Sequence, residues 1–292
     1  MNYRHAFHAG NAADCMKHAL LVWLLDARMR KPAPVFVLDT HAGAGRYDLL
    51  EGPAERTGEW RDGIARLLHD PPEPLQRYVA LIEAMGSGAM TYPGSPLLIR
   101  SLLRPGDRLA ACELHPEDHA ALRRLFRGDR QVGIHHRDGW EAIRALLPPR
   151  ETRGLVLIDP PYEAPGEFER VVAALQDGAA RFNHGVYAAW YPIKHRGPVT
   201  TFHESLRLSG LSDLVAAELC WRAPTDPQRL NGCGLLVRNP PYPFEQDAAP
   251  ILAALLERLG DREAGESTQI LRLTPETPLK TRVSPASWPA AP

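Results

Sequence analysis

The sequence predicts an α/β protein with a doubly wound, mostly parallel sheet and a small helical insertion. Short apolar runs, such as Val35–Asp39 and Leu155–Asp159, alternate with helical patterns along most of the chain. Several runs are apolar at consecutive positions, which is typical of strands covered on both faces. Two such runs end in an acid followed by turn residues, as strands of an open sheet do. Repeated alternation favours parallel strands joined by right-handed crossovers.

The first third of the chain contains one helix, one strand and the insertion. Residues 14–30 show helical spacing, which Lys31-Pro-Ala-Pro34 ends, and the strand Val35–Asp39 follows. Residues 48–92 then interrupt the alternation with two amphipathic helices, predicted near Trp60–Leu68 and Leu75–Met85. We therefore expect 48–92 to form an inserted helical subdomain, and 1–47 with 93–260 to form the sheet domain.

After the insertion, strands and helices alternate as far as residue 237. The predicted strands are Asp107–Glu113, Val132–His136, Leu155–Asp159, Val186–Tyr191, Leu214–Cys220 and Gly234–Val237, and the first helices are Pro96–Leu103 and Pro116–Phe126. A short connection without a helix separates the last two strands, which predicts a hairpin and therefore an antiparallel last strand. Residues 261–292 are polar and proline-rich, so we expect a loosely packed tail.

Composition excludes several classes of protein. The chain is 44% hydrophobic and 24% charged, as in globular proteins, and has no apolar run that could cross a membrane. Its four cysteines form no Cys-x-x-Cys pair, and no secretory signal precedes the fold, so a cytoplasmic location is expected. The net charge of −1 means that nucleic-acid binding requires a local basic patch.

The most informative motif is Asp159-Pro-Pro-Tyr162, at the end of a predicted buried strand. Neither proline can donate a sheet hydrogen bond, so the strand stops there and leaves Asp159, a backbone carbonyl and an aromatic ring at the carboxyl edge. An acid and the Pro160 carbonyl can accept the two N–H bonds of an exocyclic amine, while Tyr162 stacks on the base. This combination indicates amine methylation, although a strand that simply ends in a proline turn is the structural alternative.

The preceding strands predict a nucleotide-like cofactor. Gly43-Ala-Gly45 follows Asp39 and would let the backbone approach a ligand, while Glu113 could bind ribose hydroxyls and Asp138-Gly139 an adenine edge. NAD and S-adenosylmethionine both contain adenosine, so these residues alone do not separate them. The third glycine of a dinucleotide motif is missing, and Asp159-Pro-Pro-Tyr162 has no role in hydride transfer. Asp39 fits equally well as a cap of the glycine turn or as a ligand contact.

With these motifs, the chain resembles class I S-adenosylmethionine-dependent methyltransferases of the amino-methylating branch. It is most similar to the 23S ribosomal RNA (adenine2030-N6)-methyltransferase family, RlmJ, over nearly its full length. The motifs that carry this resemblance are Tyr3-Arg4-His5-Ala-Phe-His8-Ala-Gly-Asn11, Lys17-His18, Asp39-Thr-His-Ala-Gly-Ala-Gly-Arg-Tyr47, Glu55-Arg-Thr-Gly58, Tyr92-Pro-Gly-Ser-Pro96, Glu113-Leu-His-Pro116 and Leu157-Ile-Asp-Pro-Pro-Tyr162.

The resemblance implies an enzyme that methylates one adenine of 23S ribosomal RNA, with S-adenosylmethionine as cofactor. It implies that Asp159 is the catalytic acceptor and that Tyr3, with its neighbour Arg4, contacts the RNA. The cofactor contacts that follow from it and from the strand ends are Lys17, His18, His41, Gly43, Ser95, Glu113, Asp138, Gly139 and Asp159. We expect a monomer that acts on protein-free or early-assembly RNA, because a stacked target base must be unpaired or flipped out.

A second motif, Asn239-Pro-Pro-Tyr242, matches the amino-methyltransferase pattern equally well. It ends the strand that we expect to be antiparallel, so it should emerge at the edge opposite the cofactor. Sites in such folds lie at the carboxyl ends of the parallel strands. We therefore predict that Asp159, and not Asn239, is catalytic.

Other basic and polar residues have weaker interpretations. His5, His8 and His18 with Asp14 could bind a metal, but no usual ligand spacing is complete and we expect none. Further candidate RNA contacts are Arg56, Arg61, Lys194, His195 and Arg196. The alternative functions are a DNA adenine methyltransferase, which would need a region that reads a duplex, and a non-catalytic RNA- or nucleotide-binding module.

Overall fold

A twisted eight-stranded sheet forms the centre of the molecule. This computed structural model describes residues 5–86 and 90–276. Its strands are β1 (Val35–Asp39), β2 (Arg46–Asp48), β3 (Thr91–Pro93), β4 (Arg108–Cys112), β5 (Val132–His135), β6 (Arg153–Ile158), β7 (Val186–Ile193), β8 (Leu214–Cys220), β9 (Gly232–Arg238) and β10 (Ser267–Thr274). The main sheet has the order β10-β8-β9-β7-β6-β1-β4-β5, and β2 pairs only with β3. The predicted α/β class is confirmed.

Nine α-helices of the described segments cover the sheet on both faces. They are α1 (Ala12–Met29), α2 (Gly52–Thr57), α3 (Glu73–Met85), α4 (Ser95–Leu102), α5 (Pro116–Leu125), α6 (Gly139–Leu146), α7 (Glu167–Arg181), α8 (Arg196–Leu208) and α9 (Phe244–Leu259). Side chains of β1 alternate between the two cores: Val37 packs with α1, α4 and α9, while Leu38 packs with α6, α7 and α8. Both faces of the inner parallel strands β1, β4 and β6 are therefore buried, as the continuous apolar runs predict.

Strand direction determines which strand ends share an edge. Strands β5, β4, β1, β6 and β7 are parallel, whereas β9 pairs antiparallel with both β7 and β8. The predicted β8–β9 hairpin is confirmed, and β9 runs against the parallel strands. It is not the last strand, however, because β10 pairs antiparallel with β8 at the edge of the sheet. The carboxyl ends of the parallel strands form one edge, which we call the carboxyl edge.

Two expectations about local structure are wrong. The segment after Gly260 is not loosely packed throughout, because β10 supplies a paired edge strand with Leu273 buried. Trp60–Leu68 is also not one helix: it forms two 3₁₀ turns, Glu59–Arg61 and Ile64–Arg66. At Gly63 between them, a Cβ would lie 2.0 Å from the Gly10 carbonyl oxygen. The chain therefore bends where it meets the segment that precedes α1, which we call the amino-terminal arm.

The ends of the insertion are held together by the β2–β3 pair, in which Arg46 lies opposite Pro93. Leu75, Tyr78 and Val79 of α3 pack into the same core as α1 and α9. The division of the chain into a sheet domain, an insertion and a tail remains a prediction. Within the described ranges, we find no helix that combines the length and apolar character needed to cross a bilayer.

Candidate active site

Four acidic residues meet at the carboxyl edge because four neighbouring parallel strands end there. Asp39 closes β1, Glu113 follows β4, Asp138 follows β5 and Asp159 follows β6. Three of them, all but the buried Asp39, line a cavity of about 360 Å³ that we call the cofactor cavity. Six predicted cofactor residues line it: His41, Gly43, Glu113, Asp138, Gly139 and Asp159. These six residues therefore lie together in space, and their contact with a cofactor remains a prediction.

Glu113 is fixed by the backbone of two loops. Its Oε2 accepts a hydrogen bond of 2.8 Å from the Gly43 N–H, and its Oε1 accepts one of 2.6 Å from the His115 N–H. Burial raises the pKa of Glu113, and these two donors partly offset that effect. Each carboxylate oxygen keeps a second lone pair. The side chain can therefore accept hydrogen bonds from a vicinal diol without moving.

His41 and Gly139 form a tight wall on one side of the cavity. The Thr40 hydroxyl donates to the Leu157 carbonyl at 3.0 Å, so at its 2.7 Å contact with His41 the Nδ1–H must be the donor. Burial lowers the pKa of His41 to about 4, so the ring is neutral and Nε2 is an acceptor. A Cβ on Gly139 would lie 2.3 Å from the Thr40 carbonyl oxygen, so only glycine permits this approach.

Trp140 and Arg170 supply the outer wall of the cofactor cavity. Asp138 caps α6 by accepting the Trp140 N–H at 2.7 Å, which fixes the start of the helix. The Arg170 guanidinium lies over the Trp140 ring, 4.8 Å from its centroid. Arg170 has no sequence motif of its own and was not predicted as a site residue. It could be found only from the packing of α7 against α6.

A second cavity of about 600 Å³ lies on the other side of Asp159, and we call it the base cavity. Its walls include Lys17, Tyr162, Trp190, Lys194 and Gln228. The two cavities share His5, Asp159, Pro161 and Glu163. Asp159 therefore borders both spaces, as a residue must if it acts where two bound molecules meet.

Lys17 links Asp159 to a second buried acid. Its Nζ lies 2.5 Å from Asp159 Oδ2 and 2.8 Å from Asp14 Oδ1, and all three side chains are less than a tenth exposed. Burial alone would lower the pKa of Lys17, but the charges of Asp14 and Asp159 outweigh it and raise that pKa. Asp14 Oδ2 also accepts from His5 Nε2 and from the Gly10 N–H, each at 3.0 Å. The network fixes Oδ2 of Asp159 and leaves Oδ1 to accept from a substrate.

Sequence reasoning missed Asp14 as part of the site, because it considered this residue only as a metal ligand and expected no metal. The available signal was the i, i+3 spacing of Asp14 and Lys17 on α1. Burial acts against ionisation of Asp14, yet the charges of His5, Lys17 and His18 hold its pKa well below the usual range. The acid is therefore a permanent counter-charge for Lys17.

Tyr162 is held in a fixed orientation beside Asp159. Its backbone has a φ of 54°, which is uncommon outside glycine. Its hydroxyl donates to the Trp190 carbonyl at 2.9 Å, and its ring lies edge-on to Trp190 and tilted against Phe168. The turn after β6 therefore presents one ring to the base cavity in a single position.

The predicted cofactor contacts His18 and Ser95, together with the candidate Asp39, lie behind the cavities rather than on their walls. His18 is fully buried, and its Nδ1 contacts the Tyr92 hydroxyl at 2.7 Å. Ser95 donates to Asp39 Oδ2 at 2.6 Å, while Asp39 Oδ1 is buried without a hydrogen-bond partner. Burial raises the pKa of Asp39 to about 7. Tyr3 and Arg4 lie outside the described residues, so their predicted RNA contact has no structural counterpart here.

Several candidate RNA contacts are already engaged within the protein. Arg61 pairs with Glu55, and Arg56 lies over the Phe7 ring. Arg196 pairs with the buried Glu218, so it holds α8 against β8. His195 caps α8 by accepting the Gly197 N–H. Of this group, Lys194 is the one that lines the base cavity.

The second motif lies at the opposite edge. Because β9 is antiparallel, Arg238 pairs with Tyr187 near the start of β7, and Asn239 follows. The Asn239 side chain donates to the Asn183 and Gly185 carbonyls, each at 2.8 Å, and Tyr242 is 85% exposed. The predicted position of this motif away from the cofactor cavity is confirmed.

Comparison with known proteins places this geometry in a family. Residues 32–271 match the family described as "Ribosomal RNA large subunit methyltransferase D, RlmJ". The chain is 40% identical to "Ribosomal RNA large subunit methyltransferase J" of Haemophilus influenzae, over 94% of this chain and all of that protein. It is 39% identical to the Escherichia coli protein of that name, over 92% of this chain and 97% of that one. A crystal structure of a Legionella pneumophila protein superposes with a TM-score of 0.83 at 34% identity, covering 91% of this chain and 98% of that chain. The chain therefore belongs to the RlmJ family of ribosomal RNA large subunit methyltransferases.

Proposed function

We propose that this protein transfers a methyl group from S-adenosylmethionine to the N6 amine of one adenine in 23S ribosomal RNA. The observation that carries the proposal is the position of Asp159 on the wall shared by the cofactor and base cavities. Membership of the RlmJ family supports both the reaction and the ribosomal RNA substrate. The Asp159-Pro-Pro-Tyr162 turn supports an exocyclic amine as the acceptor, and the resemblance to the 23S ribosomal RNA (adenine2030-N6)-methyltransferase family supplies the adenine.

The residues of the cofactor cavity fit S-adenosylmethionine. Glu113 can accept from the ribose hydroxyls, Asp138 and the Gly139 backbone lie where an adenine edge would bind, and Trp140 supplies an apolar wall. The walls carry more acids than bases, which favours a cationic sulfonium, and about 360 Å³ is within the usual range for ligand sites. When bound, S-adenosylmethionine supplies an activated methyl group.

Lys17, His18 and Ser95 would support the cofactor in different ways. Lys17 reaches the junction of the two cavities through Asp159. Ser95 fixes Asp39, and His18 fixes Tyr92, so both would act through neighbours unless the site rearranges on binding. We propose His41, Gly43, Glu113, Asp138, Gly139 and Asp159 as the direct cofactor contacts, and Lys17 as a residue that supports the cofactor through Asp159.

The turn after β6 supplies the chemistry for an amine. An adenine amine is a poor nucleophile because its lone pair is delocalised into the ring. Oδ1 of Asp159 and the Pro160 carbonyl would accept its two N–H bonds, which favours a pyramidal nitrogen whose lone pair faces the methyl group. Asp159 would then take the proton released as the new C–N bond forms. Since Lys17 already fixes the carboxylate, this geometry exists before the substrate binds.

The base cavity is suited to an extruded base. Tyr162 would stack on the adenine, and its ring is already oriented by Trp190. The cavity can enclose the base only if it is unpaired or flipped from a helix. We therefore propose that a monomer acts in the cytoplasm on protein-free or early-assembly RNA.

The test is methyl transfer from labelled S-adenosylmethionine to 23S RNA transcribed without natural modifications, followed by digestion to nucleosides. We expect label in N6-methyladenosine at one site. Transfer to adenine in duplex DNA but not to this RNA would favour the DNA methyltransferase alternative. Cofactor binding without transfer to either nucleic acid would favour a non-catalytic binding module.

A further inference from the structure

An open groove of about 580 Å³ runs between α5 and the edge strand β5, outside the two cavities described above. It is lined by His119, Ala120, Arg123, Arg124, Phe126, Arg127, Gly128, Asp129, Val132 and Ile134. We call it the α5–β5 groove. β5 pairs with β4 on one side and ends the sheet on the other. The groove is therefore accessible along its length.

The groove is positively charged because its arginines lack counter-ions. Arg123, Arg124 and Arg127 are exposed, and no carboxylate of the described residues lies within 4.0 Å of their guanidinium groups. The one acid in the groove, Asp129, is occupied by Arg100 at 2.5 Å. Exposed Arg130 and Arg137, which border β5, likewise have no ion pair in the described part of the chain. Although the formal net charge of the chain is −1, five cations without an ion pair among the described residues thus lie together on this flank.

The helical insertion, which contains the candidate RNA contacts Arg56 and Arg61, differs in this respect. Arg61 pairs with Glu55, Arg66 with Asp62, and Arg77 with Asp26. Each of these cations already has a neighbouring anion, whereas Arg56 has no ion pair among the described residues and lies over the Phe7 ring. The unpaired positive charge of the described residues therefore favours the α5–β5 groove over the insertion as a site for an anionic partner.

The groove also connects to the active edge. His115 and Asp118 at the start of α5 line the cofactor cavity, and His119 in the next turn lines the groove. His119 stacks on His136 at 4.6 Å, and β5 leads directly to Asp138 of the cofactor cavity. A polymer whose target base occupies the base cavity could thus continue past the cofactor cavity onto this flank.

We propose that the α5–β5 groove binds the phosphodiester backbone of the RNA substrate outside the target nucleotide. This inference rests on the proposed function, since it assigns the substrate a second contact surface. Arginine donates a planar fork of N–H groups that matches phosphate oxygens. The aromatic side chains of the groove are already packed, Phe126 in the core and His119 against His136, so contact with the backbone and not with stacked bases fits its lining. Binding there anchors the RNA and does not select the base.

The experiment compares two double variants with equal charge change. Arg123→Gln/Arg124→Gln alters the last turn of α5, and the control Arg181→Gln/Arg207→Gln alters the last turns of α7 and α8 on the other face of the sheet. All four side chains are exposed. Binding of an unmodified 23S RNA fragment that contains the methylated site is measured from 50 to 200 mM KCl. Methylation kinetics and S-adenosylmethionine binding are measured for the same proteins.

We expect the groove variant to bind the RNA at least tenfold more weakly at 100 mM KCl. Its slope of log affinity against log salt should be shallower by about 1.4 to 1.8, or about 0.7 to 0.9 for each lost phosphate contact. KM for RNA should rise while kcat and cofactor affinity stay unchanged, and the control should match wild type. Arg127→Gln, which lies after the helix, repeats the test without altering α5.

This inference would be overturned if RNA affinity and salt slope were equal in the wild type, the groove variants and the control. If the wild type still transferred methyl groups in that case, the proposed function would stand. A rise in KM that the control shares would also overturn it, because the effect would then be one of net charge. Failure of the wild type to methylate any RNA would instead overturn the proposed function, and the salt slopes would still decide whether the groove binds phosphates.

Discussion

Two copies of nearly the same motif lie at opposite edges of one sheet, in different surroundings. Asp159-Pro-Pro-Tyr162 follows the parallel strand β6 and borders two cavities, with Asp159 ion-paired to the buried Lys17. Asn239-Pro-Pro-Tyr242 follows the antiparallel strand β9, where Asn239 is tied to the backbone and Tyr242 projects into solvent. The letters of a motif are therefore not sufficient for a site. Strand direction determines whether an amine acceptor meets a cofactor or closes a turn.

The largest expected effect is on methyl transfer by variants of Asp159. Asp159→Asn keeps the shape of the side chain but removes the carboxylate, so we expect kcat/KM to fall by about 10²- to 10⁴-fold, the usual contribution of an acid–base group. Steady-state transfer to the RNA substrate measures this. The exchanged variant, Asp159→Asn with Asn239→Asp, moves the carboxylate to the opposite edge of the sheet and should be equally impaired. Recovery of activity in the exchanged variant would show that the assignment by strand direction is wrong.

The comparison also shows what sequence reasoning can resolve. The convergence of acids at the carboxyl edge was predictable because Asp39, Glu113, Asp138 and Asp159 each lie at or shortly after the end of a parallel strand, and such ends lie side by side. The hairpin was predictable from its short connection. Each of these inferences used only the chain direction and the alternation of apolar residues.

Other features depended on contacts between residues far apart in sequence. The pairing of Lys17 with Asp159 joins residues 142 positions apart, and Arg170 reaches the site only because α7 packs on α6. β10 was missed because its polar and proline-rich surroundings hide eight residues that gain their order by pairing with β8. The division of the predicted helix Trp60–Leu68 at Gly63 arises from contact with Gly10, and the spacing of apolar residues gives no information about such a contact.

The next-largest expected effect is a difference in kcat/KM between variants of Tyr162 and Tyr242, the tyrosines of the two motifs. Tyr162→Ala removes the ring that faces the base cavity, and loss of a base-stacking contact costs about 1 to 3 kcal/mol, so kcat/KM should fall roughly 5- to 150-fold. Tyr242→Ala removes a side chain that is 85% exposed and should leave kcat/KM unchanged. Transfer assays at subsaturating RNA measure both. An equal loss in the two variants would argue that Tyr162 does not contact the base.

The buried Asp39 at the carboxyl edge should affect how the free energy of unfolding depends on pH. Burial raises the pKa of Asp39 to about 7, so the folded state retains a proton that the unfolded state loses above its ordinary pKa. The contribution of Asp39 to the free energy of unfolding should therefore decline from about pH 4 to pH 7, by up to about 4 kcal/mol, and then level off. Asp39→Asn should remove this decline, whereas the exposed control Glu204→Gln should retain it. Urea unfolding at pH 5 and pH 8 measures the difference, and equal slopes in Asp39→Asn and wild type would contradict the assignment.

The smallest effect concerns the structural role of the second motif. Asn239→Ala removes two hydrogen bonds to the Asn183 and Gly185 carbonyls and places alanine at a φ of 53°, so it should lower the free energy of unfolding by about 1 to 2 kcal/mol. Asn239→Gly loses the same hydrogen bonds but tolerates the backbone, so it should be less destabilised than the alanine variant. Both should retain wild-type kcat/KM at a temperature where they are folded. A variant that remained stable but inactive would mean that this edge takes part in catalysis. Loss of stability alone would mean that the turn after β9 stabilises the fold, because Asn239 joins the end of β9 to the segment before β7 by hydrogen bonds.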